Sequence, residues 1–188
     1  MMKKIGLFYV VLVFFAGLAG AQESKSGIQA ILSHYAARNF TAGAVDREDL
    51  DQILLAGIHS PSANNRQPWM FTVVQSSALA RQIVSNNEDG NVLIVISAEG
   101  DGRTNGTQIL DCALAAQSMY LAAQALGYGS RIYTGPINSV NQNLKTQLGL
   151  PAGHSAVVLV RVGRVQNNVD AQTAASARAA VNTKVQYK

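Results

Sequence analysis

The sequence predicts an α+β domain in which strands and helices share one core. Three features carry that expectation. Trp69–Gln75, Val92–Ser97 and Ala156–Val165 are apolar runs of strand length, rich in valine and isoleucine. Leu50, Ile53, Leu54, Gly57 and Ile58 recur at i, i+3, i+4, i+7 and i+8, which gives a helix with one apolar face. Thr107–Leu126 is apolar nearly all round and rich in alanine. Such a helix belongs in the core or against a second subunit, and its alanines let another helix come close. With 188 residues, 48% hydrophobic and 14% charged, the chain can bury a substantial core in one domain and is short for two.

The elements follow in order. Lys3 and Lys4 precede an apolar run, Ile5–Ala16, and the small residues Ala19-Gly20-Ala21. This pattern predicts a signal peptide over 1–21, cleaved after Ala21. The apolar run is shorter than the ~20 residues of a membrane-spanning helix. The expected product is a single domain over 22–188, exported to the periplasm or secreted, with no stable membrane insertion. No cysteine follows the apolar run to take a lipid anchor, and Lys-Lys stands where a twin-arginine signal would have arginines.

Gly27–Ala37 reads as a short helix with Ile28, Ile31, Leu32 and Tyr35 on one stripe. Asp46 is placed as N-cap of the next helix, with Glu48 and Asp49 in its first turn, and Pro61 stops it. Val92–Ser97 is continuous enough to be buried on both faces. Glu99–Gly106 is a polar, glycine-rich loop before the long helix, and Gly127 is placed as its C′ residue. Arg131–Tyr133 is a short strand leading to Thr134-Gly135-Pro136. Ser139 and Gln142 have the spacing of a capping box for a small helix ending near Leu148. Leu150–His154 is a turn before the last strand, and from about Gln166 the chain is a polar, aperiodic tail.

Composition excludes several functions. The formal charge is +4, and without Lys3 and Lys4 it falls to about +2. No run of basic residues is present, so a nucleic-acid partner is not expected. The single cysteine, Cys112, sits in an apolar helical pattern and reads as a buried, inert thiol. His34, His59 and His154 are isolated, which leaves no metal-ligand spacing. There is no nucleophile elbow and no Walker motif, and Gly127-Tyr128-Gly129 follows a helix rather than a strand. An enzyme built this way would rely on a cofactor for its chemistry. The place for one is Ser60-Pro61-Ser62-Ala63-Asn64-Asn65-Arg66-Gln67-Pro68-Trp69. This loop is polar and bracketed by prolines, and it suits the edge of a flat polar ligand.

That loop resembles the Pro-Ser-x-x-Asn-x-Gln-Pro-Trp loop of the nitroreductase family, matched here by Pro61, Ser62, Asn65, Gln67, Pro68 and Trp69. Four further stretches agree in order. Arg38-Asn39-Phe40 is similar to the family's Arg-x-Phe, and Asp111–Gly127 to its alanine-rich helix ending in Ala-Leu-Gly. Leu150–His154 resembles the Leu-Pro-x-Gly-x turn, and Arg178 stands nine residues before Tyr187, like the family's C-terminal arginine and aromatic. The resemblance spans nearly the whole chain after the signal segment. It implies a nitroreductase-like fold: a central, mostly antiparallel sheet flanked by helices, with the long helix at a homodimer interface. It implies FMN as cofactor and two-electron, ping-pong reduction of a nitroaromatic, quinone or similar acceptor by a small-molecule donor. An export signal makes NAD(P)H a doubtful donor.

By the same resemblance, His34, Arg38 and Arg178 would face the FMN phosphate. Pro61, Ser62, Ala63, Asn65 and Gln67 would line one wall. Thr134 and Gly135 would lie over the ring, with the Gly135 N–H near the reactive N5 and no side chain as catalytic group. Where the family often has Arg-x-Ser, this chain has His34 and Ala36, so the phosphate cradle loses a charge and a hydroxyl. Arg66 is an added cation in the loop. The stretch between Gln75 and Asp111 is short, which implies an open site or one covered by the partner's tail. The altered cradle keeps a second reading in view: a non-catalytic flavin-binding or scaffold protein on the same fold.

Overall fold

A computed structural model describes residues 27–101, 106–166 and 177–188, and their sheet is built around one long strand. The expected signal peptide lies outside the described residues. The elements run α1 (Gly27–Ser33), β1 (Phe40–Thr41), α2 (Arg47–Ile58), β2 (Met70–Val74), α3 (Ser77–Ile83), β3 (Val92–Glu99), α4 (Gly106–Ala125), β4 (Gly129–Tyr133), α5 (Ile137–Ser139) and β5 (His154–Val165). Every strand pairing is antiparallel. Residues 159–162 of β5 pair with β3 and with β4 at once, so those two strands lie on its opposite edges. β2 extends the sheet beyond β3, and β1 pairs with the last residues of β5. The α+β class and the antiparallel sheet flanked by helices are as expected.

Period-two alternation assigns the two faces. Val92, Ile94, Ile96 and Ala98 of β3 and Val158, Val160 and Val162 of β5 point to a core shared with α2 and α4. Leu93 and Val95, with Leu159, point the other way, to a core shared with α3 and the α5 region. β3 is therefore buried on both faces, as its unbroken apolar run predicts. At Gly57 a Cβ would fall 2.1 Å from the Met119 Cε of α4, so glycine sets how closely α2 and α4 pack.

Several local expectations are corrected. α1 ends at Ser33 rather than Ala37 and buries no residue, leaving Ile28, Ile31 and Leu32 exposed. Asp46 occupies the N-cap of α2 but makes no side-chain cap bond. Its carboxylate is engaged elsewhere, by the Arg164 guanidinium at 3.0 Å and the Tyr128 hydroxyl at 3.0 Å. Ser139 and Gln142 form no capping box: Ser139 already lies inside α5, whose N-cap is Pro136, and the chain continues as a π-helical turn over Val140–Leu144. α3 escapes the sequence pattern because it is short, although Ser76 caps it by accepting the Leu79 N–H. The polar tail includes residues 167–176, which lie outside the described residues; a 3-10 turn follows at Val181–Thr183.

Arg161 is 1% exposed yet pairs with no carboxylate among the described residues. Its Nε and Nη2 both donate to Asn91 Oδ1, at 3.1 and 2.9 Å, and Nη2 also donates to the Asn86 carbonyl. The guanidinium lies 3.9 Å over the Phe40 ring. Asn91 in turn donates to the Thr41 carbonyl and fills the space beside Gly163, where a Cβ would fall 2.3 Å from its Cγ. One buried amide thus ties β1, β5 and the segment before β3 together. Asn91→Ala should lower unfolding free energy by about 2–4 kcal/mol, since it leaves a buried guanidinium short of its principal acceptor. Urea denaturation with an unchanged m-value is the check.

Candidate cofactor site

The 60–69 loop leaves α2 at Ser60, whose hydroxyl donates to Ser118 Oγ of α4 at 2.7 Å. Ala63–Asn65 forms a 3-10 turn. Asn64, Asn65 and Gln67 all have positive φ, 53°, 53° and 47°. Asparagine tolerates the left-handed region because its side chain bonds locally; glutamine there carries strain of about 1 kcal/mol or more. The loop holds this shape through its own bonds. The Gln67 N–H donates to Ser62 Oγ at 3.0 Å, and Gln67 Nε2 to Asn65 Oδ1 at 3.2 Å. Both backbone groups of Ala63 are used: its N–H by Asp111 Oδ1 at 3.0 Å, its carbonyl by the Arg66 N–H. Trp69 anchors the far end, buried and stacked at 6.2 Å on Phe71.

Among the described residues, no hydrogen bond uses the Ser62 hydroxyl proton, the Asn65 amide N–H groups or the Gln67 side-chain carbonyl. All three belong to exposed or half-exposed residues. Together they present donors and an acceptor on one short edge, the complement of a planar heterocycle bearing carbonyls and an imide N–H. Arg66 is exposed beside them.

A second group of expected residues lies elsewhere. The segment after α1 is fixed to α4 and β4: the Tyr35 N–H donates to Gln124 Oε1, Gln124 Nε2 donates back to the Tyr35 carbonyl, and the Ala37 N–H donates to the Ser130 carbonyl. This places His34 edge-on to the Tyr120 ring, centroids 5.6 Å apart. His34 Nδ1 bonds the Ile31 carbonyl, so that nitrogen carries the hydrogen. Burial raises the pKa of the Tyr120 phenol, opposed by its bond to Gln124 and by the charge of Arg178. His34 thus contacts the Tyr120 ring, and Arg178, 144 positions away in sequence, acts on the same phenol through its charge. Arg38 is exposed in the same segment as His34. Tyr120 itself was not singled out in the sequence, where it reads only as one more apolar position of a long helix.

Thr134 and Gly135 follow β4. Gly135 has no positive φ, and a Cβ built on it would meet nothing within 4 Å. Neither backbone conformation nor packing calls for glycine there. What remains is open space over a bare backbone, which suits close approach by a flat ligand.

Within one chain these parts lie apart. β4 and β2 stand on opposite sides of β5 and β3, three strand spacings or about 14 Å apart. Along α4, Asp111 at the loop and Tyr120 at the N-terminal segment differ by nine residues, also about 14 Å. Along this stretch α4 shows apolar side chains to solvent, Leu110 at 65% and Leu114 at 44% exposure, and Leu55 and Ile58 of α2 are exposed as well.

A sequence model of the nitroreductase family matches residues 31–86 and 83–164. The chain belongs to the nitroreductase family. An inferred NADH dehydrogenase/NAD(P)H nitroreductase of Methanothermobacter thermautotrophicus is 27% identical over 141 residues, covering 70% of this chain and 73% of the relative. Among solved structures, the FMN-bound nitroreductase of Bacteroides fragilis superposes with a TM-score of 0.68 at 19% identity, covering 86% of this chain and 97% of that one. The FMN-bound nitroreductase of Desulfitobacterium hafniense gives 0.70 at 22%, with 86% and 97% covered.

Against this nitroreductase background, the expected residues fall into two sets. Pro61, Ser62, Ala63, Asn65 and Gln67 are contiguous at the start of α4, with Ala63 able to offer only its methyl. His34 lies against Tyr120, whose phenol also feels the charge of Arg178. Among the described residues no group of His, Cys, Asp and Glu could hold a metal. Cys112 is buried, and burial together with the Asp111 charge pushes its thiol up to about 12, so it has no thiolate to offer near neutrality. The strain at Gln67 yields a prediction with two signs. Gln67→Gly should hold or raise thermal stability, by up to about 1 kcal/mol. It should also weaken FMN retention, because the carbonyl and the brace on Asn65 go together. Paired melting curves and flavin titrations check both.

Proposed function

We propose that this nitroreductase-family protein is an FMN-dependent oxidoreductase that works as a homodimer. It would pass two electrons from a reduced donor to a nitroaromatic, quinone or similar acceptor in ping-pong order. The observation that carries the reading is the 61–67 loop, strained at Gln67 and left with a polar edge that takes no partner among the described residues. Bound FMN would supply the electron-carrying centre.

The chain's part is to bind and orient it. Arg38 and Arg178, with His34, would hold the phosphate, since guanidinium groups give charged, bidentate hydrogen bonds. Ser62, Asn65 and Gln67 would engage the polar ring edge. Thr134 and Gly135 would lie over the ring, and the Gly135 N–H would donate near N5 where electrons arrive. No general acid among the side chains is called for.

The separation of the two residue sets supports the homodimer. A two-fold axis near the exposed face of α4 would bring the loop of one subunit toward the N-terminal segment of the other, and would cover Leu110 and Leu114. The C-terminal segment, with Val181, Val185 and Tyr187 exposed, would add to that cover. An export signal over 1–21 would place the enzyme outside the cytoplasm, where NAD(P)H is a scarce donor.

The visible spectrum of purified protein tests the cofactor: flavin bands, or their appearance on adding FMN, are expected, and their absence removes the reading. Arg178→Ala should weaken FMN binding about 10–100-fold through loss of a charged hydrogen-bonding partner. Truncation after Gln166 should lower both the sedimentation coefficient and the flavin content; unchanged values refute the dimer and the role given to the tail. The second reading, a flavin-binding or scaffold protein without turnover, is favoured by His34 and Ala36 in the phosphate cradle. Stopped-flow reduction and reoxidation with an acceptor panel decides between them.

A further inference from the structure

Asp111 lies in the second turn of α4 and is 4% exposed. Its Oδ1 accepts the Ala63 N–H. Its Oδ2 is buried with no hydrogen-bond partner. It takes part in none of the ion pairs among the described residues. Burying a carboxylate without a counter-charge is costly, by several kcal/mol. Fixing one backbone amide does not require a charge, because an asparagine carbonyl accepts equally well. The charge therefore needs a reason beyond the loop. The carboxylate stands directly behind Ser62 and Ala63, the wall on which the ring edge would rest.

We infer that Asp111 is a positioning residue of the flavin site, pinning the 61–67 loop through Ala63 and setting a buried negative charge, without an ion pair among the described residues, behind the ring wall. This rests on the flavin reading above. Reduction by a hydride, two electrons and one proton taken from the donor, adds one negative charge at the site. A fixed negative charge in a low-dielectric surrounding opposes that gain. Asp111 thus makes the bound cofactor harder to reduce and, once reduced, a stronger donor to the acceptor. Loop geometry and redox poise are set by the same carboxylate.

Two substitutions separate the pin from the charge. Asp111→Asn keeps an oxygen for the Ala63 N–H and removes the charge; Asp111→Ala removes both. The midpoint potential of FMN bound to each protein is measured by equilibration with a reference dye. Asp111→Asn should shift it positive by a tenfold or greater preference for reduced over oxidised FMN, about 30 mV for a two-electron couple. Its affinity for oxidised FMN should stay within about threefold of the parent. Asp111→Ala should show the same shift, bind oxidised FMN about tenfold more weakly, and open the only tryptophan, Trp69, to acrylamide quenching. A midpoint unchanged in Asp111→Asn overturns the inference and leaves the flavin reading standing. A parent protein that takes up no FMN removes the flavin reading and the redox role with it. Trp69 quenching unchanged in Asp111→Ala overturns the pin even then.

Discussion

β5 is the strand on which the rest of the molecule depends. Its residues 159–162 are bonded on both edges, to β3 and to β4, and its last residues carry β1. Each part of the candidate site reaches it through one intermediary. The N-terminal segment is bonded to β4 at Ser130, and Thr134 and Gly135 extend that same strand. The 60–69 loop runs into β2, which reaches β5 through β3. A strand bonded on both sides cannot slip by one residue without turning its apolar set outward. The site therefore inherits a fixed frame, and that frame holds its two halves apart.

α4 is the second ruler. It crosses one face of the sheet, with the loop pinned at Asp111 in its second turn and, through Ser60, at Ser118, and the N-terminal segment at Tyr120 and Gln124. One side of the helix is packed on β3 and β5 through Cys112, Ala115, Ala116, Met119 and Ala123. The other shows Leu110 and Leu114 to solvent. A helix apolar on both sides is what the sequence contains, and a single chain can cover only one of them. The same argument applies to Ile28, Ile31 and Leu32 of α1, whose regular spacing forms a stripe that the chain itself leaves uncovered.

Much of this was legible beforehand, and the physical reason differs from element to element. β3 was readable because burial on both faces demands an unbroken apolar run. α2 was readable because Leu50, Ile53 and Gly57 face one core at helical spacing. The loop was readable because proline and asparagine mark unusual backbone, and Asn64 and Asn65 do have positive φ; Gln67 gave no such sign. The failures were local patterns outbid by distant partners. Asp46 has the right residue type for a cap, but Arg164 and Tyr128 compete for its carboxylate. Ser139 and Gln142 have the right spacing, but Pro136 starts the helix three residues earlier. Tyr120 and Asp111 were hidden because their significance lies in what reaches them from other elements, and helical periodicity records only the face they share.

Strain and unspent polarity in the loop belong to one argument. A connector free to choose its shape would relax Gln67 out of the left-handed region, since the bond it gains there, to an exposed Asn65, is worth no more than about 1 kcal/mol. The loop does not relax because it is held at both ends: Ser60 and Ala63 to α4, Trp69 to the core. Rigid ends turn a flexible segment into a preformed edge, so a flat ligand binding there does not have to order it.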